Sequence, residues 1–158
     1  MSPNDVRGTA AQPDADLRAH PPRSGREELG GLVFLARTID KTRAKLQGTL
    51  GEYKVTPGIS GYLFEWLGIT EDAFTSAVAA SKSDDDVVAW LRANTDPSTY
   101  SEINRRLLER GIRDEAHRAE ILPRYPSLAD RPNLRNWMDI FDYDDAWMFN
   151  RPQPKTAP

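Results

Sequence analysis

The chain has 158 residues, a formal net charge of -3 at pH 7 and no cysteine. This length suits one domain, because single domains commonly hold roughly 100–200 residues. The lack of cysteine excludes disulfides, thiolate nucleophiles and cysteine-bound metals. Hydrophobic residues make up 39% of the chain and charged residues 28%, a balance typical of a soluble globular protein and not of a disordered one.

The charge pattern argues against a nucleic-acid partner. Basic and acidic side chains are interleaved in the most arginine-rich stretch: Arg105, Arg106, Arg110, Arg113 and Arg118 with Glu109, Asp114, Glu115 and Glu120. This interleaving is typical of a solvated helix face with ion pairs three or four residues apart. A nucleic-acid interface would need an uncompensated basic face, so we expect none.

Neither a membrane span nor an export signal is expected. No apolar run reaches the roughly 18 residues that a transmembrane helix needs. The first twenty residues, MSPNDVRGTAAQPDADLRAH, lack the apolar core of a signal peptide. We therefore expect a cytoplasmic protein with no membrane insertion.

The two ends of the chain differ in composition from its middle. Residues 1–15 are rich in proline, glycine, alanine and aspartate without apolar periodicity, which predicts a flexible arm. Residues 16–145 are expected to form a single helical domain. Residues 146–158 are expected to form a tail that is first aromatic and then proline-rich.

The first predicted helix is long and runs from Gly25 to Gln47. Ser24 and Glu27 have the spacing of a capping box, and Gly48 is a stop signal. The pair Gly30-Gly31 would then fall in the second turn, at a cost of about 2 kcal/mol relative to alanine. We expect the close approach of another helix to explain the pair, or alternatively a ligand against the backbone.

Further start and stop signals predict several short helices. Thr56-Pro57, Thr70 and Ser83 with its three following aspartates are typical helix starts, and Gly68 is a stop. Later helices are predicted from Ser98 or Ser101, over residues 113–122, and from residue 133 onward, although the last segment could also be extended. The predicted fold class is mainly α: a compact bundle of about five to seven short helices with flexible N- and C-terminal arms.

A family resemblance is carried by five segments: DLRAHPPRS, LGG, LARTIDKTRAKLQGTLGEY, SDDDVVAWLR and WMDIFDYDD. In these segments the chain resembles a bacterial family of uncharacterised proteins, known only as a domain of unknown function. The resemblance covers about residues 16–145. It implies a small single-domain cytoplasmic protein of bacterial type, and it brings no reaction, cofactor or catalytic residue with it.

Asp40 and Arg43 fall inside the apolar stripe of the first predicted helix. On a helical wheel that stripe contains Leu32, Leu35, Ala36, Ile39 and Leu46. Because Asp40 and Arg43 are three residues apart, they can pair with each other, and a buried ion pair that pins neighbouring loops is one interpretation.

The other interpretation is a polar pocket for a small anionic ligand. Its predicted walls are Arg37, Asp40, Lys41, Arg43, Glu52 and Tyr53. Arginine presents a planar fork that suits carboxylate or phosphate. An arginine beside Asp40 favours its charged form, which disfavours acid–base catalysis by this residue. Glu52 is the better candidate for that role.

Large apolar side chains are dense near the end of the domain: Trp137, Phe141, Tyr143, Trp147, Met148 and Phe149. They can pack on the domain's own core, or Trp147, Met148 and Phe149 can dock on a partner. The chain has only two histidines, His20 and His117, far apart in sequence. We therefore expect no metal and no cofactor.

Two functions follow from these patterns. The leading hypothesis is a non-catalytic protein-interaction module, or an accessory subunit of a larger bacterial assembly, that acts through a protein partner or self-association. The alternative is a small-molecule binding protein or enzyme that uses the polar pocket. No residue is assigned to catalysis.

Overall fold

The computed structural model describes residues 15–150, which form a mainly α fold. Within this range there are seven α-helices, two short 3-10 helices (Pro97–Thr99 and Pro126–Asp130) and one two-stranded hairpin, which confirms the predicted fold class. The strands are β1 (Glu28–Leu29) and β2 (Leu32–Val33). The helices are α1 (Leu35–Gln47), α2 (Ile59–Leu67), α3 (Glu71–Ala80), α4 (Asp84–Asn94), α5 (Tyr100–Glu109), α6 (Glu115–Ile121) and α7 (Trp137–Asn150). None of these helices combines the length and apolar character of a membrane span.

The ends of the chain lie largely outside the described range. This holds for the predicted arm of residues 1–15 except Ala15, and for residues 151–158 of the predicted tail. Ala15 is buried and packs with Leu17 and Ala44 of α1. Residues 146–150, predicted to begin the tail, are instead the final turns of α7.

Residues 28–33 form a β-hairpin, so the predicted helix start at residue 25 is wrong. Glu28 pairs with Val33 and Leu29 with Leu32 in an antiparallel register. Gly30 and Gly31 have φ angles of 60° and 89°. Positive φ at both central positions is what a type I′ hairpin turn requires. The glycine pair is therefore explained by a turn and not by close helix packing.

Phe34 connects this hairpin to α1 in a left-handed backbone conformation. Its φ is 68°, which costs an ordinary residue about 1–2 kcal/mol. Its ring is buried and lies 5.9 Å from the ring of Phe141 in α7. Gly25 leaves room for that ring, since a Cβ at this position would lie 2.8 Å from Phe34 and 2.6 Å from the Met138 sulfur. Burial of Phe34 thus holds the hairpin, α1 and α7 together.

Local capping signals account for most of the other helix ends. Thr70 accepts a hydrogen bond from the N–H of Ala73, and Ser83 accepts one from Asp86, as their positions predicted. Gly48 and Gly68 end α1 and α2 in left-handed conformations. Helix α2 begins at Ile59, slightly after the predicted start.

The core has two main parts, which α7 joins, and a small third cluster of Ala15, Leu17 and Ala44. The larger part is formed by β2 and helices α1 to α5, and Met138 of α7 reaches into it. The smaller part consists of Ile112, Ile121, Leu128 and Ile140. Leu46 was predicted to lie on the buried stripe of α1, but it is 48% exposed. The buried residues of α1 therefore end at Ala44, before Leu46.

We predict that Gly30→Ala destabilises the protein more than Gly48→Ala. Both glycines have a positive φ, so both changes add the cost of a left-handed alanine, about 1–2 kcal/mol. At Gly30 the new Cβ would also lie 2.7 Å from a methyl group of Val88, whereas nothing lies within 4 Å at Gly48. Such overpacking adds about 1–3 kcal/mol. Urea unfolding of both variants measures the difference, and equal losses would contradict the close contact between residue 30 and Val88.

Candidate functional site

The residues predicted to wall one pocket are divided between two charged networks. A turn of about 100° per residue puts Arg37 and Lys41 on one side of α1 and Asp40 and Arg43 on another. Arg37 lies over the ring of Tyr53. Lys41 lies near Arg37 and near Asp145 of α7. The predicted wall residues therefore take part in two groups of contacts, which Arg23 links, because Arg37 also donates to the Arg23 carbonyl at 3.3 Å.

The first network is built around a buried ion pair between Arg37 and Asp145. Arg37 is 2% exposed, and its two terminal nitrogens donate to Asp145 at 2.7 and 3.1 Å. The Tyr53 hydroxyl donates to the same carboxylate at 2.7 Å. The Arg37 guanidinium also lies over the Phe141 ring, 5.2 Å from its centroid. Both ends of the pair are thus desolvated and held by several contacts.

Tyr53 and Lys41 are electrostatically perturbed by this pair. Burial, followed by the charge of Asp145, raises the pKa of Tyr53, so its hydroxyl stays protonated and acts as a donor. Burial and the nearby Arg37 charge lower the pKa of Lys41 to about 7, although Asp145 opposes this shift. The half-buried Lys41 amine lies 5.7 Å from the centroid of the Phe34 ring.

Asp144 is a second buried carboxylate beside the pair. Burial raises its pKa, while the hydroxyl of Ser127, which donates to it at 2.7 Å, acts against that rise. The charges of Asp145 and the exposed Glu52 raise the pKa further. Glu52 therefore faces an acidic neighbour, and its suggested role as a base stays a prediction.

The second network shows that the expected pairing of Asp40 with Arg43 is wrong. Asp40 instead accepts hydrogen bonds from Arg23, at 2.9 Å from the backbone nitrogen and at 3.0 and 2.9 Å from the side chain. Arg43 pairs with Asp84 at 2.9 Å, and Arg23 reaches the same aspartate at 2.8 Å. Arg23 directly follows two prolines before the hairpin, and Asp84 is the first residue of α4. Neither partner can therefore be predicted from residue spacing along α1.

Asp84 is shared by these two arginines. Burial acts to raise its pKa, but the hydrogen bonds and charge of Arg23, with the charge of Arg43, hold that pKa below its usual value. Asp84 therefore stays ionised and ties the segment before the hairpin to α1 and α4. Arg23, Arg43 and Asp84 therefore serve the fold.

A separate cleft of about 840 Å³ lies between the start of α2, the α5–α6 connection and the start of α7. Four arginines line it: Arg110, Arg113, Arg124 and Arg135. Among residues 15–150 none of these four forms an ion pair. The carboxylate of Glu109 also lines the cleft, but it binds Arg105 at 2.7 Å. The cleft is therefore rich in uncompensated positive charge.

Backbone contacts hold the two arginine-bearing rims of the cleft together. Gly111 and Asn136 form an isolated antiparallel bridge, and the N–H of Ile112 donates to the Arg135 carbonyl at 2.8 Å. A Cβ on Gly111 would lie 2.5 Å from that carbonyl oxygen, so this approach requires glycine. The Arg135 side chain returns a hydrogen bond to the Ile112 carbonyl at 3.1 Å. The rims are consequently fixed before any ligand arrives.

Aromatic rings form the remaining walls. The rings of Trp137 and Phe141 are stacked with their centroids 5.6 Å apart, and Tyr125 lies 5.9 Å from Trp137. On the opposite wall the Arg110 guanidinium lies 4.0 Å from the centroid of the Tyr62 ring. Phe141 belongs to both sites, because its ring also packs against Arg37. The cleft can therefore stack a planar group as well as bind a charge.

His117 completes the lining as a hydrogen-bond donor. The backbone N–H of Arg113 donates to its Nδ1 at 3.1 Å. In the neutral ring the proton therefore lies on Nε2. Within the described range, no group of three or more histidine, aspartate or glutamate side chains could hold a metal ion.

A family model described as a domain of unknown function (DUF5069) matches residues 19–147. The chain belongs to this family. The match confirms the resemblance to an uncharacterised family and covers nearly the same range. It includes both charged networks and the whole lining of the cleft. A comparison with curated proteins found no match.

The predicted docking residues of this DUF5069 protein are Trp147, Met148 and Phe149, near the end of α7. All three are half-buried and part of the helix. The DUF5069 match ends at Trp147. Docking of a partner at these side chains stays a prediction.

The sequence did not reveal the cleft because two of its arginines, Arg110 and Arg113, were interpreted as part of a solvated helix face. That interpretation describes Arg105, which pairs with Glu102 and Glu109 on α5. Arg110 and Arg113 come after α5 has ended, so helical spacing no longer applies to them. The end of the helix, marked by Gly111, was the signal that could have separated them. The sequence likewise did not reveal the partner of Asp145, because Arg37 lies 108 positions away in the chain.

We predict that Arg37→Met destabilises the protein by about 3–5 kcal/mol, because it leaves the Asp145 carboxylate buried without its partner. The double variant Arg37→Met/Asp145→Leu should lose less than the sum of the two single changes. Lys45→Met is the matched control on the same helix. It breaks the more exposed pair with Glu71, which is expected to contribute at most about 1 kcal/mol.

Urea unfolding of these variants tests the buried pair. If Lys45→Met lowers the free energy of unfolding as much as Arg37→Met does, the buried pair does not stabilise the protein more than the exposed pair, and the prediction is wrong. Strict additivity of Arg37→Met and Asp145→Leu would contradict a direct interaction between the two side chains.

Proposed function

We propose that the protein binds a small anionic ligand in the arginine cleft. One observation carries this proposal: four arginines that pair with no carboxylate of residues 15–150 line a single cleft in a chain whose net charge is -3. Each guanidinium can donate two parallel hydrogen bonds to a carboxylate or phosphate. The one carboxylate of the lining, Glu109, is already bound by Arg105.

The proposed ligand carries a planar or aromatic group beside its charge. Trp137 and Phe141 present stacked rings on one wall, and Tyr62 lies under Arg110 on the other. Binding pockets for small molecules commonly combine such apolar walls with a few convergent polar groups. The volume of about 840 Å³ lies within the range of such pockets.

We propose the arginine cleft as the anion site in preference to the pocket predicted around α1. The α1 arginines already bind carboxylates of the protein itself, whereas within residues 15–150 the cleft arginines form no ion pair. The interaction-module hypothesis stays a prediction, and its support is the half-buried group of Trp147, Met148 and Phe149. We assign no reaction to the cleft, because a bound anion and a donor at His117 do not by themselves specify one.

We predict that phenyl phosphate raises the melting temperature of the protein and that inorganic phosphate does so less. At a concentration a hundredfold above its Kd, a ligand stabilises the folded state by about 2.7 kcal/mol, a shift of roughly 5–10 °C for a chain of this size. The variant Arg113→Gln/Arg124→Gln should lose most of the shift, because it removes two cleft charges. Differential scanning calorimetry with and without each probe measures this shift in melting temperature.

A matched control separates specific binding from a change in overall charge. Arg18→Gln/Arg131→Gln removes the same charge from two exposed arginines outside the cleft, and it should keep the full shift. If both double variants lose the shift equally, or if neither probe shifts the wild-type protein, the proposed function is wrong.

A further inference from the structure

The arginine cleft carries more positive charge than one phosphate group can balance. Its four guanidinium groups belong to Arg110, Arg113, Arg124 and Arg135. Within residues 15–150 none of the four forms an ion pair. A phosphate monoester brings only about two negative charges near pH 7. The guanidinium groups left over would still repel one another, which favours a ligand with a second anionic group.

The fold holds two of these arginines, the fixed pair Arg110 and Arg135, in place. The Arg110 guanidinium lies 4.0 Å from the centroid of the Tyr62 ring, and its Nε is buried without a hydrogen-bond partner in the described range. Ring contacts therefore position it. The Arg135 side chain donates to the carbonyls of Ile112 and Arg113, at 3.1 and 3.3 Å. Because an arginine has five N–H donors, both side chains keep donors for an anion.

The other two arginines form an adjustable pair, Arg113 and Arg124. Both are exposed, and their side chains form neither a hydrogen bond nor an ion pair with residues 15–150. No contact with the protein therefore has to be broken when they turn toward a ligand. The adjustable pair can join the fixed pair on a single phosphate, or it can extend to a second phosphate beside the first.

A planar group can lie next to the fixed pair. The backbone N–H of Trp137 donates to the Arg110 carbonyl at 3.0 Å, so Trp137 lies directly across the bridge from Arg110. Trp137 lines the cleft and is half-buried. The cleft volume of about 840 Å³ lies in the upper part of the range of about 300–1,000 Å³ for small-molecule sites. It therefore has room for a ligand of nucleotide size.

We propose that the ligand of the arginine cleft is a diphosphate ester of a planar group, of the nucleoside diphosphate class. This inference rests on the proposed function, to which it adds the second phosphate. The fixed pair and the adjustable pair share the two phosphates, and the base packs beside Trp137. Guanidinium groups, and not a bound metal ion, neutralise the phosphate oxygens.

Isothermal titration calorimetry of the full chain, with EDTA and no added metal, tests this with three probes. ADP carries the ring and both phosphates, AMP lacks the second phosphate, and inorganic pyrophosphate has both phosphates without the ring. We expect the Kd of ADP to be at least about tenfold below the Kd of either other probe. A smaller preference over either one would overturn the proposal. Binding of phenyl phosphate tests the proposed function separately, so the two can fail independently.

Arg124→Gln tests the part of the adjustable pair. AMP can still use the fixed pair and Arg113, whereas the second phosphate of ADP loses one of its donors. We expect the preference for ADP over AMP to fall at least about threefold. Arg131→Gln, the matched change at an exposed arginine outside the cleft, should leave the preference unchanged. An undiminished preference in Arg124→Gln, or an equal fall in both variants, would overturn the proposal.

Excess magnesium gives a further test that needs no variant. Mg²⁺ binds phosphate oxygens, so it competes with the guanidinium groups for the same atoms of ADP. We expect the Kd of ADP for the wild-type protein to rise when magnesium replaces EDTA. An unchanged or lower Kd would overturn the proposal, because the metal-bound nucleotide would then bind as well as the free one.

Discussion

The buried ion pair between Arg37 and Asp145 is the interaction on which the arrangement of the molecule depends. It joins α1 to α7 across 108 positions of the chain. Because both groups are desolvated, neither helix can move without leaving a buried charge unpaired. The pair also sets the position of Phe141, whose ring lies against Arg37 on one side and lines the cleft on the other. A structural interaction in the core thus shapes one wall of the candidate site.

The parts of the fold that local sequence determines were predictable. The caps at Thr70 and Ser83 and the ends at Gly48 and Gly68 depend on residues within one turn of each other. The hairpin was missed because its short apolar strands also fit a helical period, which made the glycine pair look like a defect in a helix. Two glycines in sequence between apolar residues are equally a turn signal, and the structure favours the turn.

The charges were harder to predict because their partners are distant in sequence. Burial of Arg43 was indicated correctly by its place on the stripe, yet its partner Asp84 lies on α4. Spacing on one helix can propose only neighbours three or four residues away. The cleft shows the same limit, since Arg124 and Arg135 come from different segments and converge only in the folded chain. Arginine therefore has two roles here, and sequence spacing alone does not distinguish them.

The division between structural and ligand-binding arginines can be measured directly by NMR of arginine Nε–H groups during titration with inorganic phosphate. We expect the signals of Arg110, Arg113, Arg124 and Arg135 to move with a common affinity. The signals of Arg37 and Arg43 should stay in place, because these side chains already bind carboxylates of the protein. Movement of the Arg37 or Arg43 signals, with the four cleft signals unchanged, would contradict the assignment of anion binding to the cleft.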